Sequence, residues 1–306
     1  MPLNPAHMPG VVIITALPVE YAAVRSYLTA LTEVVHPEGT IYECGIYSRG
    51  LLSWNVALVE ISSGSITTAA ETERALAYFK PDVALFVGIA GGLQGVNIGD
   101  VVAATKVCGY EFIHSSGIFV PTPDIGYSTH RMKQRAQAEA RKSDWLQSLE
   151  LSPKDTVPRI YIAPIVAGEK IITSHYADAI QFLSTQYSDA LAVELEGHGF
   201  LKTTQVHQSV EALIVRGISS ILDAPKYIDK IEYNELAAKH ASAFAFEILA
   251  KVTLSESRPT TDDVRHASNK SVSTYNNTFT GPIQNNIQGD HTRIHVYNTD
   301  KISKKW

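Results

Sequence analysis

Seven uncharged residues in a row, 11–17 (VVIITAL), constrain the fold of this chain more than any other feature. A continuous apolar run of this kind marks a strand covered on both faces. Strand-like runs recur at 54–61 (WNVALVEI), 82–88 (DVALFVG), 100–104, 160–167 and 211–217 (EALIVRG). Helical patterns lie between them. Residues 68–80 put Ala69, Leu76 and Phe79 near one face and stop before Pro81. Residues 128–149 are long and highly charged and are expected at the surface, while 176–186 and 195–204 are shorter. Residues 235–252 are rich in Ala and carry Phe244, Phe246, Leu249 and Val252, a face suited to packing on a sheet.

Strands alternating with helices predict an α/β fold: three αβα layers around a central, mixed, mostly parallel twisted sheet. Ligands in such folds sit beyond the carboxyl ends of the strands. The candidate site is therefore sought just after each apolar run.

Composition narrows the classes. The 306 residues suffice for one large domain or two small ones, and 45% apolar content is ordinary for a buried core. A net charge of −5 leaves no basic footprint for nucleic acid. No stretch approaches the ~18 apolar residues of a membrane helix, and the first ten residues do not read as a secretory signal. Cys44 and Cys108 stand in no metal-binding spacing and suit free thiols in a reducing cytoplasm. His114, His130, His198 and His207 lack a carboxylate partner at helical spacing, so no metal is expected. No cofactor is expected either.

The character of the chain changes near residue 255. Residues 1–254 read as the catalytic-type domain and 255–274, polar with Pro259, as a linker. Residues 275–306 form an Asn- and Gly-rich, β-prone tail in which Ile283, Ile287, Ile294 and Val296 are spaced for short strands. Stacked Asn and Ile predict self-assembly or recruitment of a partner protein with a similar tail. The alternatives are a flexible tail or an edge hairpin.

Five segments fall at the expected edge of the sheet. In Ala16-Leu17-Pro18-Val19-Glu20, the carboxylate follows a Pro-marked turn and either faces a cleft or complements a helix start. Gly88-Ile89-Ala90-Gly91-Gly92 reads as a loop whose amides can approach a ligand closely. It lacks the spacing of a dinucleotide fingerprint or a P-loop. Ser62-Ser63-Gly64-Ser65 could offer hydroxyls to ribose or phosphate, or could be a plain turn. Glu194 and Glu196 flank Leu195, and an ionised Glu can clamp two vicinal hydroxyls, although an acidic helix start would look the same. Arg216 is followed by Ser219, Ser220 and Asp223.

Read in order, ALPVE, GIAGGL with IGD, AVELEG and VRGIS resemble the methylthioadenosine/S-adenosylhomocysteine nucleosidase branch of the nucleoside phosphorylase superfamily, over about residues 11–254. The chain is similar in particular to nucleosidase-like domains of bacterial signalling and defence proteins. The resemblance implies a purine N-ribosyl hydrolase. In it Glu20 activates the attacking water, and Ala90, Gly91 and Gly92 lie beside base and ribose. Lys170 and Ile171 belong to the segment that covers the base. Leu195 and Glu196 match the Met-Glu pair that grips the ribose, with Glu194 beside them, and Arg216 supports the site. Ser219 precedes the catalytic acid. A homo-oligomer is also implied.

The sequence departs from that pattern where the acid should be: Ser220 stands in place of an Asp. Loss of such a group typically costs ~10²–10⁴-fold in rate. The chain could be a binding-only sensor, could use Asp223 as a displaced acid, or could carry an inactivating substitution. Ile171 also replaces a Phe that often stacks on the base. Hydrolysis is favoured over phosphorolysis because the first turn lacks a G-x-P-x-R pattern and Glu20 would repel phosphate. Defence-linked relatives imply ATP or a similar nucleotide as substrate, with Lys170 and Arg25 as candidates for its phosphates. An assembly protein with the domain as scaffold is a further reading.

Overall fold

The computed structural model describes residues 10–115, 118–149, 156–168, 177–222 and 231–253, with the backbone alone for 111–123 and 177–180. The expectations placed on Lys170, Ile171, Asp223 and the segments 255–274 and 275–306 lie outside the described residues.

The apolar run at the start forms β1 (Val11–Thr15), buried at every position. Its two faces serve two cores. Val12 and Ile14 pack with Phe79, Phe86 and Phe200 on one side. Val11 and Ile13 pack with Phe244, Phe246 and Leu249 on the other. That double duty is why no polar residue interrupts the run.

Around β1 lie α1 (Pro18–Arg25), β2 (Thr29–Val35), β3 (Ile41–Arg49), β4 (Leu52–Glu60), α2 (Ser65–Phe79) and β5 (Val83–Gly92). Then come β6 (Val101–Ser115), β7 (Ile118–Tyr127), α3 (His130–Ala140), β8 (Ile160–Ala167), α4 (Ala177–Gln186) and β9 (Ala192–Glu194). The described chain ends with α5 (Gly197–Val206), β10 (Glu211–Ile221) and α6 (Ile231–Leu249). The strands form one mixed sheet with helices packed on it, the α/β class expected. Its centre is parallel: β4, β1, β5 and β10 run side by side, with Ile13 opposite both Leu58 and Leu85 and Arg216 opposite Gly88.

Antiparallel pairs complete the sheet. At one edge β4, β3 and β2 meander. At the other, β10 pairs antiparallel with β6, β6 parallel with β8, β8 parallel with β9, and β9 antiparallel with β5. Since β5 also pairs with β10, these five strands close into a ring. A closed ring has no edges within it.

Three readings of the sequence need revision. β2 and β3 were not expected, because TALTEVV is half polar and mostly exposed, as an edge strand can be. The charged stretch 128–149 is not a single surface helix. It breaks after α3 into a short 3₁₀ turn, Asp144–Ser148, and buries Met132, Ala136 and Trp145, the last edge-on to Phe244 at 5.8 Å. Its buried Glu139 is neutralised by Arg135 at 2.7 Å and Lys142 at 3.0 Å. The glycine segment 88–92 is not a loop, because β5 continues through Gly92.

The stop of α2 follows the sequence. Lys80 closes the helix in the left-handed region (φ 49°), donating its N–H to Leu76, and Pro81 follows. Among the described residues, no helix is long and apolar enough to cross a membrane.

Candidate active site

Glu20 sits at the third position of α1, after Pro18. Its carboxylate folds back over the helix start: Oε2 accepts the N–H groups of Ala16 (2.7 Å) and Leu17 (3.0 Å). Oε1 accepts the N–H of Ile89 on β5 at 2.7 Å. One carboxylate thus closes its own helix, as a reaching-back N3 glutamate does, and ties β1 to β5. Each oxygen offers about two acceptor directions. Oε2 has used both, whereas Oε1 keeps one.

Arg216 lies on β10 beside Gly88, fully buried, with its guanidinium 4.0 Å above the ring of Phe86. Its Nη2 donates to Oε2 of Glu194 at 2.6 Å and stands 3.7 Å from Oε2 of Glu196. Its Nε and Nη1 have no hydrogen-bond partner among the described residues. A Cβ at Gly88 would fall 2.1 Å from Nη1 of Arg216 and 2.4 Å from Oε1 of Glu20. Both side chains therefore converge over the same bare backbone position, which only glycine can provide.

Glu194 and Glu196 come from the turn between β9 and α5. Glu194 accepts the N–H of Glu196 at 3.1 Å and that of Gly197 at 2.9 and 2.8 Å, besides the Arg216 bond. Oε2 is thus saturated by three donors, while Oε1 shares only the Gly197 N–H. Glu196, the N-cap of α5, receives a short hydrogen bond from Ser63 Oγ. Ser63 reaches it because α2 and α5 abut: a Cβ on Gly199 would lie 2.0 Å from the carbonyl oxygen of Ser65. Gly64, at φ 114°, makes the turn that delivers Ser63. Leu195, between the two glutamates, is half-buried.

Burial pushes the Glu20 carboxyl above the usual carboxylate range, and Glu196 adds to the rise. Arg216 and the N–H groups of Ala16 and Ile89 act in the opposite direction. Burial likewise raises Glu194 against the pull of Arg216. Desolvation dominates because the cluster is closed to water.

Ser219 and Ser220 lie within β10, not beyond it, and both are buried. A bulge sets Ile218 opposite Ala90 but Ser220 opposite Gly91, so Ser219 is the extra residue. Ala90, Gly91 and Gly92 belong to β5. Gly91 and Gly92 are flanked by β9 on one side and β10 on the other. The expectation of free loop amides there is thus overturned. Gly92 is required because a Cβ would meet Val96 at 2.7 Å and Ile218 at 2.8 Å.

The structure brings together Glu20, Glu194, Glu196, Arg216 and the glycines of β5, and adds Ser63, whose hydroxyl meets Glu196, from the segment read either as offering hydroxyls to ribose or phosphate or as a plain turn. It separates Arg25 from any role as a free cation. That side chain, in the last turn of α1, is held by Glu43 through Nε at 2.6 Å and Nη2 at 3.0 Å. His198 and His207 face Asp124 (3.3 Å) and Glu73 (2.7 Å) in ordinary polar pairs.

Comparison with known proteins follows the same lines. The chain is 27% identical over 237 residues to the 5'-methylthioadenosine/S-adenosylhomocysteine nucleosidase of Anoxybacillus flavithermus, covering 76% of this chain and 94% of that one. It is 28% identical over 250 residues to the ATP nucleosidase Cap17 of Escherichia coli, covering 72% of this chain but 47% of Cap17. It therefore spans about half the length of that relative. The solved 5'-methylthioadenosine/S-adenosylhomocysteine nucleosidase of Neisseria meningitidis, in complex with methylthio-immucillin-A, shares the fold. Its TM-score is 0.62 at 21% identity, over 79% of this chain and 99% of that one. The family model described as "Phosphorylase superfamily" matches residues 10–252. The chain belongs to that superfamily.

Proposed function

We propose that this chain hydrolyses the N-glycosidic bond of an adenine nucleoside or nucleotide and releases the free base. The observation that carries the reading is the convergence of Glu20 and Arg216 over Gly88, with Glu196 beside Arg216, in the middle of the parallel strands β5 and β10. The relatives named above are nucleosidases of methylthioadenosine/S-adenosylhomocysteine and of ATP, and the resemblance read from the sequence assigns roles to Glu20, Glu196 and Arg216.

Cleavage breaks the bond between the sugar C1′ and the base nitrogen. Positive charge grows on the sugar and negative charge on the base, so stabilisers are needed at both ends. Glu196, fixed by Ser63, grips the ribose hydroxyls. The acceptor left on Oε1 of Glu20 orients a water towards C1′, and the raised proton affinity of that carboxyl lets it take the water's proton as the C–O bond forms. Water, not phosphate, is the nucleophile, because Arg216 is already outnumbered by Glu20, Glu194 and Glu196 around it. A phosphate dianion would be repelled there.

The proton for the departing base is the weak point. Ser220 donates a hydrogen bond but is no acid, and Asp223 is the alternative donor. This substitution also favours a second reading, a sensor that binds its nucleoside and turns it over poorly. Incubation of the protein and of Ser220→Asp with ATP, adenosine and methylthioadenosine, with free adenine as readout, decides between them. Adenine from both supports the enzyme, and adenine from Ser220→Asp alone supports the sensor. No adenine from either sinks the nucleosidase reading.

The proposal places the activity in the cytoplasm, where the thiols of Cys44, pushed up to about 11 by burial, and Cys108 stay reduced. It includes a homo-oligomer, and a recruiting or assembling role for residues 275–306. Sedimentation of the full chain against one ending at Val252 tests that role, and equal sizes would remove it.

A further inference from the structure

We propose that Glu194 is a positioning residue that holds Arg216 and the first turn of α5 in one geometry, so that Glu196 and Arg216 face the sugar as a rigid pair. The proposal rests on the nucleosidase reading and adds to it a residue that never meets the substrate.

Oε2 of Glu194 accepts from Arg216 Nη2 (2.6 Å) and from the backbone N–H groups of Glu196 (3.1 Å) and Gly197 (2.8 Å), and Oε1 accepts from the same Gly197 N–H (2.9 Å). Helix α5 starts at Gly197, so the anion also lies at the positive end of that helix. The site leaves room for nothing larger: a Cβ on Gly197 would be 2.8 Å from Oε1 of Glu194 and 2.6 Å from Ile214 Cδ1. Three donors saturate Oε2 of Glu194, so the oxygen that faces Arg216 is spent on holding protein groups. Glu196 keeps Oε2 only loosely engaged, 3.7 Å from Arg216 Nη2. The guanidinium and the helix start belong to different parts of the chain, joined in the cluster through this carboxylate. Shortening or neutralising it should loosen both at once.

The test compares the protein with Glu194→Gln, Arg216→Lys and the double variant, reading amide hydrogen exchange over residues 192–198, adenine release and thermal midpoints. Glu194→Gln is expected to speed exchange at Glu196 and Gly197 by about tenfold or more, the scale of a lost charged hydrogen bond. Arg216→Lys, far away in sequence, should speed the same amides. The double variant should exchange no faster than the faster single, the mark of a shared unit. Adenine release should fall about 100-fold in kcat for a displacement near an ångström, with KM nearly unchanged. Should Glu194→Gln fail to fold, Arg216→Lys still decides through exchange. Unchanged exchange at Glu196 and Gly197 in Arg216→Lys, or effects of the two changes that simply multiply, would overturn the proposal. The exchange readout needs no turnover, so failure of the nucleosidase reading shows separately, as absence of adenine.

Discussion

The guanidinium of Arg216 rests 4.0 Å above the ring of Phe86, which lies two residues before Gly88 on the neighbouring strand. The ring covers a charge that is fully buried, and a cation over an aromatic face keeps part of the attraction it would find in solvent. Phe86→Leu should therefore destabilise the fold by about 1–3 kcal/mol, from lost ring contacts and lost cation–π attraction together. Urea unfolding measures it. A change within about 0.5 kcal/mol, the scale of ordinary surface substitutions, would show that the ring is mere filler.

Gly88→Ala inserts a methyl 2.1 Å from Arg216 Nη1 and 2.4 Å from Glu20 Oε1. One side chain must move. Adenine release is expected to drop by at least about 100-fold, while circular dichroism stays that of a folded α/β protein. Retention of full activity would mean that the two groups do not act from these positions.

The proton affinity of Glu20 sets opposite trends for stability and activity. Its folded carboxyl holds a proton more tightly than the unfolded one, whose ordinary value is 4.5. The stability this contributes is fully present below that value and is lost as pH rises through the raised folded value. Activity runs the other way, since only the ionised carboxylate can accept the water's proton. Urea midpoints across this range should thus fall with rising pH as adenine release rises, and Glu20→Gln should flatten this part of the stability slope. A slope unaltered in Glu20→Gln would remove Glu20 from the explanation.

Ser63→Ala removes the donor that fixes Glu196. A hydrogen bond to a charged group is worth about 1.5–3 kcal/mol when buried, and less here because Ser63 is exposed. Calorimetry should find nucleoside binding weakened by about tenfold and adenine binding unchanged, as befits a contact on the sugar side. Equal loss for both ligands would place Ser63 elsewhere in the site.

Much of the scaffold was legible. β1, β5 and β10 announce themselves because strands covered on both faces carry long, nearly unbroken apolar runs, Ala212–Val215 in β10 among them. β2 did not, because an exposed edge can carry Thr and Glu without penalty. The glycines of β5 misled for a related reason. Glycine marks close approach of backbone, and here the approaching groups are Val96, Ile218, Arg216 and Glu20 rather than a ligand. Glu20, Glu196 and Arg216 could be picked out by their order along the chain, but their meeting over Gly88 could not, since the ring of strands is set by long-range pairing. For Arg25 the ordinary salt-bridge reading holds, but its partner Glu43 could not be named from the sequence because it sits on another element. Glu194 and Glu196 look equivalent in a string of letters, and only hydrogen bonds separate the one tied to Arg216 and the start of α5 from the one met by Ser63.

Ring closure also dictates when the site can exist. Glu20 leaves the ribosome well before β10, which brings Arg216 and completes the ring with β5. Until then the carboxylate has no countercharge and the cylinder has a gap along one side. A nascent chain can lay down its early strands but holds no working centre, so neither nucleoside nor nucleotide is at risk from an unfinished molecule.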